Sequence, residues 1–184
     1  MNHTLLNYTI SERIAAFSTT RISPFSLQEE DILQMGNYAA FNVTDYCGDD
    51  FARVKQNKEW LCRELNIENE QLWLPRQTHT DNVIAIDAPF LSLPQEQQKQ
   101  NLQEIDALLT NLPQQCIGVS TADCVPILVY DEAHQAIAAI HAGWRGTIKR
   151  IAEKALQEME HRYGTTPADC KAVIGPSISL EAFE

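Results

Sequence analysis

The chain has 184 residues, 44% hydrophobic and 21% charged, with a formal net charge of −11. That size suits one domain with a sizeable core, and with no basic run to offset the acidic excess a nucleic-acid partner is excluded. The N-terminal MNHTLLNYTI has no basic n-region and no long apolar stretch, and no apolar run approaches the roughly 20 residues that span a bilayer, so neither a signal peptide nor a membrane segment is expected.

Residues 14–20, IAAFSTT, are a first predicted strand, followed by Arg21 and a turn at Ser23-Pro24. Residues 38–43 are a weaker strand candidate. In DFARVKQNKEWLCRELNI, residues Phe51, Val54, Lys58, Leu61, Cys62 and Leu65 follow helical spacing, and Asp49 or Asp50 would cap the helix. Leu72 to Pro75 is a short strand ending in Arg76-Gln77-Thr78-His79, and Asn82 to Asp87 is another. Residues 88–104 read as a loop with a short helix. Ala107 to Thr110 and Ile117 to Ser120 are further strands. The apolar runs Val125 to Tyr130 and Ala136 to Ile140 predict two adjacent strands. A helix is predicted from Thr147, with Ile148, Ile151, Ala152, Ala155, Leu156 and Met159 on one face and Gly164 at its end. Ala172 to Ile174 is the final strand. The irregular alternation of helix and strand predicts an α+β layered sandwich with mixed sheets.

The chemistry gathers in TADCVPILVYDEAHQAIAAIHAGWRGT, residues 121–147. Adjacent strands there would bring Cys124 and His141 to one end of a sheet. A thiolate beside an imidazole suits a metal, or a nucleophile and its base. With His79 from the QTHTDNV segment, the set reads as three ligands with one position open. Each residue alone has an ordinary alternative: a buried thiol, a satisfied core histidine, a solvated loop histidine. That alternative is accepted for Cys62 and Cys116, and His3, His134 and His161 are read as surface residues. Gly143 and Gly146 would allow a close approach of backbone to ligand. Five cysteines without close pairs point to reduced thiols in a cytoplasm.

Two imidazoles and a thiolate describe a catalytic zinc site, and the same set could hold copper. Five histidines are too few for a mononuclear centre plus a trinuclear copper cluster. Gly146-Thr147 is expected to open the long helix, whose N-terminus favours an anion, with Arg145 as a bidentate donor. The alternative makes Arg145 a surface cation and Trp144 a core plug. Asp123 and Asp106 are candidate acid or base groups.

Several motifs together resemble successive signatures of the bacterial YfiH-type, laccase-domain-containing family, also called multicopper polyphenol oxidoreductases. They are QTHTDNV, DALLT, TADCVPIL, HAGWRGT and IGPSIS, with STTR (18–21) and FNV (41–43) upstream. The resemblance implies a four-layer α/β/β/α sandwich. It implies zinc held by His79, Cys124 and His141, with copper as the alternative. It implies a purine nucleoside phosphorylase acting on a nucleoside and phosphate, with adenosine deaminase and methylthioadenosine phosphorylase activity. Cys124, His141 and Asp123 would then be catalytic, and Arg145, Thr147 and Gln77 would bind substrate or phosphate. Arg21 and Asn42 join that set through the resemblance alone. Other activities the resemblance carries are copper-dependent polyphenol oxidation, editing of peptidoglycan precursors, and metal-free hydrolysis by Cys124 and His141. The expected protein is cytoplasmic, free of nucleic acid and membrane, and a monomer or homodimer. The family usually has cysteines after the Gly-Pro turn, a region that holds Ser177 and Ser179 here, and it continues past the equivalent of Glu184, so 1–184 is expected to be one such domain lacking its C-terminal part.

Overall fold

The chain divides into two units, one up to Asn69 and one from Glu70 onward, and the computed structural model describes residues 4–183. In the first unit, β1 (Leu5–Tyr8) and β2 (Ala16–Thr19) form an antiparallel ribbon with Leu5 opposite Thr19. Helix α1 (Glu29–Met35) follows, then a 3₁₀ turn, Gly36–Ala39, and helix α2 (Phe51–Leu65). The predicted strand near 41–43 does not form. The side chain of Asn42 takes the local polar groups instead: it accepts from Thr44 N at 2.8 Å and donates to Asp49 Oδ2 at 2.9 Å. Such side-chain bonds compete with strand pairing.

Asp50 caps α2 by accepting from Arg53 N at 3.0 Å, and Asn66 ends it in the left-handed conformation. The buried face is Val54, Asn57, Trp60, Leu61 and Cys62, while Phe51, expected inside, is 72% exposed. Asn57 belongs to the face because its amide donates to Asn42 O at 2.7 Å, and Phe41 meets Trp60 edge-on at 5.4 Å.

In the second unit, β3 (Leu72–Trp73), β4 (Val83–Ala85), short helices α3 (Ala88–Leu91) and α4 (Gln95–Asn101), β5 (Ala107–Thr110) and β6 (Cys116–Ile117) come first. The region 88–104 thus holds two short helices where one was expected. The long hairpin β7 (Val125–Asp131) and β8 (Ala136–Ala142) follows, then α5 (Trp144–Ile148), α6 (Ile151–Tyr163) and β9 (Lys171–Ile174). A five-stranded sheet runs β4-β5-β8-β7-β9, parallel between β4 and β5 and antiparallel elsewhere, and β3 pairs in parallel with β6.

Alternation along the strands sends side chains to opposite faces. Leu109, Ala138 and Ile140 cluster with Ile151, Ala155 and Met159 of α6. Leu108 and Ala139 face Trp73, Phe90, Leu102 and Ile117, from β3, α3, β6 and the end of α4. All four residues of β5 are buried, as expected of a strand covered on both faces. The mixed five-stranded sheet, with α6 on one face and β3, α3 and β6 on the other, is in keeping with the layered α+β architecture expected. Among the described residues no helix is long and apolar enough to cross a membrane.

The helix predicted from Thr147 is two helices. Arg150 adopts φ 64°, which breaks the hydrogen-bond ladder between α5 and α6. Ile148, expected on the apolar face, is therefore 73% exposed, and the buried stripe begins at Ile151. Gly164, at φ 75°, ends α6 as the sequence indicated.

Candidate metal centre

Strands β7 and β8 pair with Val125 opposite Ala142 and Pro126 opposite His141. Cys124 therefore lies just beyond the start of β7, beside the end of β8. His141 alternates onto the face of Ala139, away from α6. The third residue, His79, comes from the loop between β3 and β4. The candidate ligand atoms of His79, Cys124 and His141 all lie within 4.8 Å of one another. Cys124 Sγ is 3.7 Å from His79 Nε2, and the two imidazole rings stand 5.0 Å apart at 70°. Ligands on one tetrahedral zinc ion, with bonds of about 2.0 Å to nitrogen and about 2.3 Å to sulfur, sit roughly 3.3–3.6 Å apart. The donor set suits such an ion, and the 3.7 Å between Cys124 Sγ and His79 Nε2 is close to that spacing. His141 is buried, Cys124 half-buried and His79 exposed, so the cluster opens on the His79 side.

The cluster is held from beneath by Asp106, which is wholly buried at the start of β5. Its Oδ1 lies 2.6 Å from His141 Nδ1. The same carboxylate accepts from the amides of Thr78, His79 and Thr80 at 3.3, 3.2 and 2.8 Å, and from Thr80 Oγ1 at 2.7 Å. These bonds hold His79 at φ 62°, a conformation that costs a non-glycine residue about 1–2 kcal/mol. Burial by itself would raise the Asp106 carboxyl. Hydrogen bonds from His141, Thr80 and the Thr78 backbone outweigh it and hold the carboxyl down to about 2. Asp106 is thus an ionised acceptor at neutral pH. Burial, then the Asp123 and Asp106 carboxylates, push the Cys124 thiol up.

Gln77 sits beside the cluster with its amide engaged: it donates to Ser120 O and accepts from Ser120 N, both at 2.7 Å. It ties the His79 loop to the turn that carries Cys124. Gly143 forms the floor. A Cβ there would meet His79 Cδ2 at 2.8 Å and Cys124 Sγ at 3.2 Å. A Cβ on Gly146 would come within 3.0 Å of Thr80 O. The GPSIS segment, to which the sequence assigned only a turn, runs alongside: Ile178 N donates to Asp123 O at 3.0 Å and Gly175 N to Pro126 O at 2.9 Å.

The other predicted residues fall into two groups. Asp123, Arg145 and Thr147 are exposed on the segments that carry Cys124 and follow His141. Thr147 does not open the long helix, since α5 is a short helix starting at Trp144 and α6 begins after Arg150. Trp144 is 55% exposed and no core plug, with the Arg145 guanidinium 5.1 Å from the centre of its ring. Arg21 and Asn42 belong to the first unit. Arg21 lines a cleft there with Phe25 and Ile32, and Asn42 stitches its own loop. His134 and His161 are exposed, and His3 lies outside the described residues. None of the five cysteines forms a disulfide among the described residues. The role of Asp106 was not legible beyond a candidate acid or base, because its partners lie 26 to 35 residues away.

A family model described as multi-copper polyphenol oxidoreductase laccase matches residues 17–184. The chain is 46% identical over 167 residues to a purine nucleoside phosphorylase of Bacteroides thetaiotaomicron, covering 91% of this chain and 62% of that protein. It is 40% identical over 173 residues to adenosine deaminase RL5 of an unknown prokaryotic organism, covering 94% and 63%. The crystal structure of the Bacillus licheniformis hypothetical protein YfiH superposes with a TM-score of 0.81 at 23% identity, over 98% of this chain and 65% of that one. The chain thus spans less than two thirds of the length of each.

Proposed function

The chain belongs to the multi-copper polyphenol oxidoreductase laccase family, and from the geometry of its His-Cys-His cluster we propose that it is a zinc-dependent purine nucleoside enzyme. Its main reaction is phosphorolysis: a phosphate oxygen bonds to the ribose C1′ as the bond to the purine breaks. Adenosine deamination, and phosphorolysis of methylthioadenosine, belong to the same centre.

The observation that carries the reading is the convergence of His79, Cys124 and His141 within 4.8 Å. Two relatives whose names specify purine nucleoside chemistry support the substrate class. Zinc in this set would supply Lewis acidity and an open coordination position. Asp106, 2.6 Å from His141 Nδ1, would take the hydrogen bond from that nitrogen and leave Nε2 as the atom that would hold the ion. Arg145, exposed two residues beyond Gly143, contributes charge for the phosphate. Asp123, next to Cys124, moves the proton on the purine side, and its exposure lets it exchange that proton with solvent.

The raised thiol argues against a metal-free Cys124 nucleophile, which needs a stabilised thiolate. Three donors from one chain also differ from the many histidines that a multicopper oxidase draws upon.

The test incubates the purified chain with inosine or adenosine, with and without phosphate. Ribose 1-phosphate should form only with phosphate, and Cys124→Ala should abolish it. Undiminished turnover in that variant would overturn the reading, and phenol-dependent oxygen uptake with bound copper would replace it by the oxidase.

A further inference from the structure

One carboxylate touches two of the three residues in the metal centre. Oδ1 of Asp106 contacts His141 Nδ1 at 2.6 Å and the His79 amide at 3.2 Å. Oδ2 takes the Thr80 amide at 2.8 Å, the Thr80 hydroxyl at 2.7 Å and the Thr78 amide at 3.3 Å. The main chain repeats the link, since His141 N donates to Asp106 O at 2.8 Å and Asp106 N donates to Asn82 O at 3.0 Å. The loop is closed from its far side as well: the Thr80 hydroxyl and the Asn82 amide both donate to Glu104 O, at 2.9 and 2.8 Å.

We propose that Asp106 is the positioning residue of this centre, fixing the tautomer of His141 and the backbone of His79 together, so that the His141 imidazole and the main chain that carries His79 are set before any ion arrives. This rests on the metal reading of the cluster. The other groups on this carboxylate, three amides and the Thr80 hydroxyl, all donate to it, so it acts as the acceptor towards His141 as well, with the proton on Nδ1 and the lone pair left on Nε2. The three successive amides gathered on the carboxylate hold residues 78–80 in one turn. His79 keeps its left-handed backbone because that turn is anchored to the same group that orients His141. The His141 ring and the His79 main chain are therefore placed relative to each other by one side chain. Asp106 neither reaches solvent nor faces the open side of the cluster, so it takes no part in proton transfer to substrate.

The experiment has a metal-free arm and a metal arm. In the metal-free protein, nitrogen-15 NMR of the imidazoles should show His141 protonated at Nδ1. The amides of residues 78–80 should exchange far more slowly than those of an open loop. In Asp106→Asn, His141 should become a mixture of tautomers, and zinc affinity measured against a chelator should fall by about 10- to 100-fold, the usual effect of losing an outer partner of a metal-bound histidine. Gln77→Ala is the control: it loosens the same loop from Ser120 and should leave the His141 tautomer unchanged. If Asp106→Asn does not fold, Thr80→Val takes its place, removing one donor to the carboxylate. It should speed exchange at 78–80 and weaken zinc binding while His141 keeps its Nδ1 proton.

His141 protonated at Nε2 in the metal-free wild type would overturn the proposal. So would rapid exchange at 78–80, or zinc affinity within twofold of wild type in Asp106→Asn. Failure of the wild type to bind zinc would refute the metal reading, and the tautomer and exchange measurements would still decide the role of Asp106.

Discussion

A methyl group added at Gly143 would sit 2.8 Å from His79 Cδ2, 3.2 Å from Cys124 Sγ and 3.5 Å from His141 Cε1. Carbon atoms rest at about 3.5–4.0 Å, so in Gly143→Ala the His79 ring must retreat by roughly 0.7–1.2 Å. The backbone is not the obstacle, because φ −66° and ψ 164° suit any residue. His79 is exposed and can yield towards solvent. The cost to folding should therefore stay near 1–2 kcal/mol, the lower end of overpacking effects. For a chain of this size that is a Tm change of roughly 2–8 °C. Metal–ligand distances tolerate only about 0.2 Å, so zinc affinity should fall by at least 10-fold. Chelator competition and thermal unfolding on the same metal-free sample separate the two effects. Wild-type zinc affinity in a folded Gly143→Ala protein would show that the crowding at His79 and Cys124 does not define the centre.

Further outcomes follow from other parts of the structure. Arg145→Ala should raise the phosphate KM of phosphorolysis well beyond its effect on adenosine deamination, and equal losses in steady-state assays of both would remove Arg145 from the phosphate site. Asp131 is buried, which alone would raise its carboxyl; side-chain hydrogen bonds, that of His134 among them, leave it lowered. A lowered native value contributes stability above the ordinary carboxylate range, lost as pH falls from about 4 through the native value. Denaturant titrations should therefore show a shallower acid decline in Asp131→Asn than in wild type below about pH 4. Gly164→Ala places a Cβ at φ 75° and should destabilise by about 1–2 kcal/mol in chemical denaturation, with zinc binding unaffected.

The juxtaposition of Cys124 and His141 was legible in the sequence because two apolar runs flank a short break. Any hairpin joining VPILVYD to AIAAIHA brings Cys124 and His141 together. Strand β5 was legible for the same reason, as a short apolar run covered on both faces. Strand β1 escaped because its burial is weak and its LLNY pattern shows no strict alternation. Helix α1 escaped because Ile32 and Leu33 are 45% and 83% exposed, so the segment has no buried stripe to give a period. The break at Arg150 had no signal, since neither glycine nor proline marks a left-handed arginine. The coupling of Asp106 to His141 and to Thr78–Thr80 exists only once β5 lies beside β8 and the QTHT loop folds over it.

The most direct test measures zinc content and ribose 1-phosphate formation in one sample while metal is stripped and returned. The account predicts that both fall together and recover together at about one zinc per chain, and that Cys124→Ala recovers neither. Full phosphorolysis in the stripped protein, or full zinc binding in Cys124→Ala, would contradict it.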